Sequence, residues 1–77
     1  MNAELFKKDV EKAVRKAISS LERGTVGIGE DCLWQLAAGH LSRSANGPTG
    51  TNAAYVARQV FNEIVRVKPY AGFVYQQ

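Results

Sequence analysis

Residues 42–52 read SRSANGPTGTN and contain no large apolar side chain. On both sides of this stretch, apolar residues recur every three or four positions, a spacing typical of helices that bury one face. Glycine, proline and asparagine favour turns because of their backbone geometry or their local hydrogen bonds. The stretch therefore predicts a long polar loop between two helices. It leads into a helix N-terminus, where backbone N–H groups lack partners within the helix.

The N-terminal segment has the clearest helical pattern. Asn2 is a typical N-cap residue, and Glu4 lies in the first turn, where the helix dipole favours an anion. Arg23 and Gly24 are the cation and the glycine that commonly end a helix. We predict a helix over residues 3–21 with one apolar stripe, formed by Phe6, Val10, Ala13, Val14, Ala17, Ile18 and Leu21.

A second helix is predicted to begin near Gly29 and to end by Arg43, just before or within the polar loop. Glu30 and Asp31 lie in its first turn, where negative charge suits the helix dipole. The apolar face that we assign to this helix consists of Leu33, Leu36, Ala37, His40 and Leu41.

A third helix follows the loop. Thr51 or Asn52 is expected to cap its start, and Pro69 to end it. Its apolar residues again recur at offsets of three and four, namely Ala53, Val56, Ala57, Val60, Phe61, Ile64 and Val67.

The C-terminal tail, residues 70–77, is rich in aromatic residues and is expected to be ordered. Residues 25–28 and residues 73–75 are the two segments with strand-like character, and we hypothesise that they pair as a minimal two-stranded β ribbon. The predicted fold is therefore mainly α: a small three-helix domain over residues 1–77, with a long polar loop between its second and third helices.

The composition indicates a small globular protein of 77 residues with a net charge of +3. A domain of this size is marginally stable alone, so a homodimer is a reasonable expectation. The single cysteine cannot form an intramolecular disulfide, and no apolar run is long enough for a signal peptide or a membrane span. We therefore expect a cytoplasmic protein with no membrane association.

The amino-acid sequence contains no recognisable catalytic or metal-binding motif. His40 and Cys32 are eight residues apart on one predicted helix, about 12 Å along its axis, which is too far for a nucleophile and its base. We expect both side chains to be packed in the core. Two potential ligands are too few for a structural zinc, and the glycine-bearing segment 47–52 lacks the lysine and preceding strand of a phosphate-binding loop. No enzyme activity, cofactor or metal is predicted.

A protein partner is the first functional hypothesis. Trp, Tyr and Arg dominate binding hot spots, and this chain has more such residues than a three-helix core requires. We predict a non-enzymatic helical interaction protein that acts as an inhibitor, adaptor or regulator, a kind of product that phages and other mobile elements often encode. The candidate contacts are Trp34, Arg43, Tyr55, Arg58, Tyr70 and Tyr75.

The alternative is a transcriptional regulator that binds DNA or RNA. A basic stripe on the first helix, formed by Lys8, Lys12, Arg15 and Lys16, could contact phosphates. The polar face of the third helix carries side-chain types that read bases and phosphates, namely Arg58, Gln59, Asn62 and Arg66. The polar loop, however, is longer than the turn of a helix-turn-helix motif, which has about three or four residues.

Overall fold

The computed structural model describes residues 2–21, 27–41, 45–68 and 70–75 of the chain. It contains three helices and one pair of very short strands: α1 (Ala3–Ser19), β1 (Ile28–Gly29), α2 (Glu30–Leu41), α3 (Ala53–Val65) and β2 (Val74–Tyr75). The three helices enclose a common apolar core, to which the C-terminal segment contributes Tyr70 and Val74. The prediction of a mainly α fold is confirmed.

Helix α1 forms much as its sequence predicts. The Oδ1 atom of Asn2 accepts a hydrogen bond from the Leu5 backbone N–H at 3.1 Å, so the expected N-cap is present. The helix ends at Ser19, two residues before the predicted end, where the Ser20 hydroxyl donates to the Ala17 carbonyl at 2.7 Å. The predicted stop at Arg23 and Gly24 lies outside the described residues. The buried stripe of the helix consists of Phe6, Val10, Ala13, Val14 and Ala17.

Helix α2 buries only part of the predicted face. Leu33 and Ala37 are fully buried, as expected, but Leu36 is 41% exposed. His40 and Cys32 are also exposed, so the prediction that they are core residues is wrong. Leu41 packs against the core, as expected, and so does Trp34, which the predicted face did not include. Burial of the large Trp34 ring removes more apolar surface from water than burial of Leu36 would. The helix orientation that buries Trp34 is therefore favoured over one that buries Leu36.

Helix α3 begins and ends close to the predicted positions. Asn52 occupies the N-cap position, but its side chain makes no capping hydrogen bond. The turn before the helix is instead closed by the Ala53 N–H, which donates to the Gly50 carbonyl at 3.2 Å. Gly50 has a φ of +91°, a conformation that favours glycine. Phe61, Ile64 and Val65 are buried, whereas Val67 lies beyond the helix and is 58% exposed.

The tail folds back onto the start of α2. A turn in which the Phe73 N–H donates to the Tyr70 carbonyl at 2.9 Å brings the tail into position. Strands β1 and β2 then pair in parallel, with Ile28 opposite Val74 and Gly29 opposite Tyr75. The hypothesised ribbon pairs residues 25–28 with residues 73–75; the observed first strand shares only Ile28 with that range, and the second strand lies within it. Residues 25 and 26, and Pro69 at the predicted end of α3, lie outside the described residues.

Candidate functional site

The N-terminal end of α2 is tied to α3 by an ion-pair network. The Glu30 side chain, 12% exposed, accepts two hydrogen bonds from Arg66, at 3.0 Å from Nη2 and 3.2 Å from Nε. Arg58 lies 3.5 Å from the same carboxylate and also pairs with Asp31. Paired arginine donors on one carboxylate give directional, charge-assisted hydrogen bonds. Glu30 therefore fixes the relative position of two helices, a role beyond the dipole effect predicted from its sequence position.

Arg58 also covers two aromatic rings. Its guanidinium carbon lies 5.7 Å from the centre of the Trp34 ring and 5.6 Å from that of Phe61. The two ring centroids are 5.2 Å apart, at an angle of 59° between their planes. The Nε of Arg58 donates to Asn62 at 2.9 Å, within α3. These contacts hold the Trp34 ring in a defined orientation.

An apolar groove of about 290 Å³ lies between α1, α2, α3 and the loop. Trp34 forms part of its wall, and the small side chains of α3 leave room above the buried Phe6 ring. Among the residues that the structure describes, those that line this groove carry no formal charge. We call this the apolar groove, and its lining is Phe6, Trp34, Ala38, Leu41, Gly47, Pro48, Ala53, Ala54 and Ala57.

A second, larger groove of about 360 Å³ has a different chemistry. It contains two lysines, one histidine and one aspartate, and the Asp9 carboxylate accepts a hydrogen bond from the Asn46 amide at 3.0 Å. We call it the basic groove, and its lining is Asp9, Lys12, Ala13, Lys16, His40, Leu41, Ala45 and Asn46.

The loop segment 45–48 forms a ridge between the two grooves. Ala45 and Asn46 line the basic groove, whereas Gly47 and Pro48 line the apolar groove. Leu41, at the end of α2, contributes to both. The polar loop singled out by its sequence is therefore a structural element of both grooves.

The six predicted partner contacts have different environments. Trp34 is half-buried in the apolar groove, and Tyr55, which follows Ala54 on α3, is 67% exposed. Arg58 is engaged in the ion-pair network. Tyr70 is only 8% exposed and belongs to the core, so it presents little surface to a partner. Arg43 and the side chain of Tyr75 lie outside what the structure describes.

The predicted nucleic-acid residues divide into two groups. Arg58 and Asn62 on α3, and Arg66 at its C-cap, are engaged in hydrogen bonds, and the two arginines are neutralised locally by acidic residues of α2. Gln59 on the same helix is exposed. The remaining four, all on α1, are exposed: Lys8, Lys12, Arg15 and Lys16.

Within the basic stripe, the residues do not share one environment. Lys12 and Lys16 line the basic groove. The Arg15 guanidinium instead donates to the Tyr70 hydroxyl at 3.0 Å, and this hydrogen bond is the main cause that raises the pKa of Arg15. Glu11, 3.9 Å from Arg15, also favours its charged form. Only part of the predicted stripe therefore faces a concave surface.

Two features were missed from the sequence. Glu30 and Arg66 pair over a separation of 36 residues, which no local pattern reveals. The contribution of His40 to a polar groove was obscured by its position at helical spacing among leucines and alanines.

Within the described ranges, no three metal-ligating side chains come together, and every buried side-chain nitrogen or oxygen has a hydrogen-bond partner. Among the helices described, none is long and apolar enough to cross a membrane. The chain matches no protein-family model, no curated sequence and no solved structure. Its functional interpretation therefore rests on the geometry of the two grooves.

Proposed function

We propose that this chain is a non-enzymatic helical interaction protein that binds a protein partner through the apolar groove. The observation that carries the proposal is an open groove of about 290 Å³ whose described lining residues include a tryptophan and carry no charge. The central parts of protein interfaces are depleted in charge and enriched in aromatic side chains. A partner that inserts one or two apolar side chains into the groove would gain the most binding free energy from burial of apolar surface.

The ion-pair network supports this proposal because it organises the groove wall in advance. Arg58 lies over the Trp34 ring, and Phe61 packs against the same ring at 5.2 Å. A side chain that is already held in place loses little conformational entropy when a partner binds. Arg58 thus contributes to binding by positioning Trp34, not by direct contact.

The residues around the groove suggest the character of the partner. Tyr55 and Leu5 are large side chains that remain 67% and 44% exposed on α3 and α1, the helices that carry the groove residues Ala54 and Phe6. The net charge of +3 favours a partner whose apolar anchor is surrounded by acidic residues. A second copy of the chain, itself basic, is a poorer match for this surface.

A matched pair of substitutions on α3 tests the proposal. Ala54 and Gln59 are both exposed, but only Ala54 lines the groove. In nuclease-treated lysates of the cells that produce the protein, the unmodified chain and Gln59→Lys should capture the same partner, and Ala54→Lys should not. With the purified partner, a titration followed by fluorescence of the single tryptophan, Trp34, should give at least tenfold weaker affinity for Ala54→Lys.

Equal capture by both variants would contradict binding through the groove. So would a partner that is lost whenever nuclease is present. Circular dichroism of both variants checks that the added lysine leaves the fold intact, and sedimentation of the purified chain reports on self-association through the same face.

The nucleic-acid alternative now depends on the basic stripe of α1. The arginines on the polar face of α3 have acidic partners within the chain, which lowers their capacity to neutralise phosphates. The stripe itself contributes two lysines to a concave surface, and this observation leads to a separate proposal.

A further inference from the structure

The basic groove brings together polar groups from three separate parts of the chain. Lys12 and Lys16 are four residues apart on α1, so their side chains lie on the same face of the helix. His40 comes from the last turn of α2, and Asn46 from the ridge. Such convergence onto one concavity differs from a solvated stripe, in which each lysine points separately into water.

The charge of the groove is positive. Among the described residues that line it, two lysines accompany one carboxylate, that of Asp9, which accepts a hydrogen bond from Asn46. Glu11 pairs with Arg15 and is absent from the groove lining, while Lys8 precedes Lys12 by one helical turn. The nearby formal charges of α1 therefore add to the positive potential of the groove more than they reduce it.

The available donors suit a phosphate oxygen. An ammonium group has three N–H donors and an imidazole has at least one, whereas a phosphate has only acceptors when ionised. Lys12 and Lys16 are separated by about 6 Å along the helix axis, so each can contact a different phosphate of one ligand. The groove therefore suits an elongated ligand with two or more phosphates.

We propose that the basic groove binds phosphate groups, with Lys12 and Lys16 as the principal contacts and His40 as a hydrogen-bond donor at its edge. Two sources share this chemistry: a small compound with linked phosphates, or the backbone of a single-stranded nucleic acid. This site is separate from the apolar groove, because the ridge at residues 45–48 lies between them.

The test uses nuclear magnetic resonance, since His40 is the only histidine and its ring protons need no assignment. Inorganic pyrophosphate is titrated into the full chain and into two double variants. Lys12→Gln with Lys16→Gln removes the two groove lysines, and Lys7→Gln with Lys68→Gln removes two exposed lysines outside the groove. Both double variants lower the net charge equally, so they separate a specific site from general attraction.

The expected result is a saturable shift of the His40 ring signals in the unmodified chain and in the Lys7/Lys68 variant. Affinity should fall about tenfold in the Lys12/Lys16 variant, because each exposed ion pair contributes only a few-fold to affinity. Equal weakening in both double variants would overturn the proposal. The absence of any His40 shift, with pyrophosphate or an oligonucleotide at up to about 10 mM phosphate, would also overturn it.

A parallel titration with a short single-stranded oligonucleotide distinguishes the two sources. A backbone ligand should bind more tightly than pyrophosphate and lose affinity steeply as salt increases, because several counterions are released. A small polyphosphate ligand should show the reverse order of affinities. The Ala54→Lys variant should bind pyrophosphate normally, so failure of the phosphate site and failure of the protein-binding groove are measured separately.

Discussion

Charged residues have opposite roles around the two ends of α2. At the N-terminal end, Glu30 and Asp31 pair with two arginines of α3 and close the surface over Trp34 and Phe61. At the C-terminal end, the loop leaves a groove on each side of its ridge, and the lysines of the basic groove remain exposed. The charges near the N-terminal end of α2 hold helices together, whereas the α1 lysines near its C-terminal end are exposed to solvent.

This difference shows why residue type alone is a poor guide to binding. Arg58 and Arg66 belong to the class of side chains most often found at interfaces, yet their hydrogen bonds here are internal. Lys12 and Lys16 are ordinary surface residues by type, but they line a groove. The geometry of the acidic residues determines which cations are available to a ligand.

The largest effect on stability is expected near the N-terminal end of α2, where Trp34 and Phe61 join the core. Phe61 is fully buried against Trp34, so Phe61→Ala should reduce the free energy of unfolding by about 3–5 kcal/mol. Tyr55, on the same helix, is 67% exposed, and Tyr55→Ala should change that energy by no more than about 0.5 kcal/mol. Urea denaturation followed by circular dichroism measures both. Similar losses of unfolding free energy in the two variants would show that the region around Phe61 is not more tightly packed than the region around Tyr55.

A smaller effect is expected from the ion pairs themselves. Glu30→Gln removes the charge that holds Arg66 and Arg58, and should cost about 1–2 kcal/mol in urea denaturation, since Arg66 is half exposed and screened by solvent. The loss should shrink in high salt. Glu63→Gln, an exposed change on α3, provides the control and should have an effect of about 0.5 kcal/mol or less. A salt-independent loss would assign the effect of Glu30 to packing instead of charge.

The smallest effect on stability is expected at the ridge. Asn46→Ala removes the hydrogen bond to Asp9 and should cost about 0.5–1 kcal/mol. Because the ridge borders both grooves, the ring signals of His40 and of Trp34 should both shift in nuclear magnetic resonance spectra. Thr49→Ala, an exposed change in the same loop, should leave both signals in place. A response of His40 alone would show that the two grooves are structurally independent.

The sequence predicts α1 well and α2 poorly, and the reason lies in their patterns. Apolar and charged residues alternate sharply along α1, so one register buries the stripe from Phe6 to Ala17 and any other would bury lysines. Residues 32–41 of α2 contain no acidic residue, lysine or arginine, so several faces are apolar enough to be buried. The choice between Leu36 and Trp34 then depends on the shape of the neighbouring helices, which local periodicity does not contain.

The polar face of α3 illustrates a second limit. The residues of this face are predicted from helical spacing, and Arg58, Asn62 and Arg66 do lie together. Their partners on α2 are distant in sequence, and the pairing depends on how the two helices cross. The two grooves were not foreseen for the same reason, because each is assembled from segments that the fold alone brings together.

The parallel pairing of β1 with β2 has a consequence for the order of folding. The contact between Ile28 and Val74 closes a loop that contains α2, the ridge and α3. Closing a long loop costs chain entropy before the contact is gained, whereas α1 and α2 are near neighbours in sequence. We therefore expect the α1–α2 hairpin to form early and the strand pair late, so that the tail locks a helical core already in place.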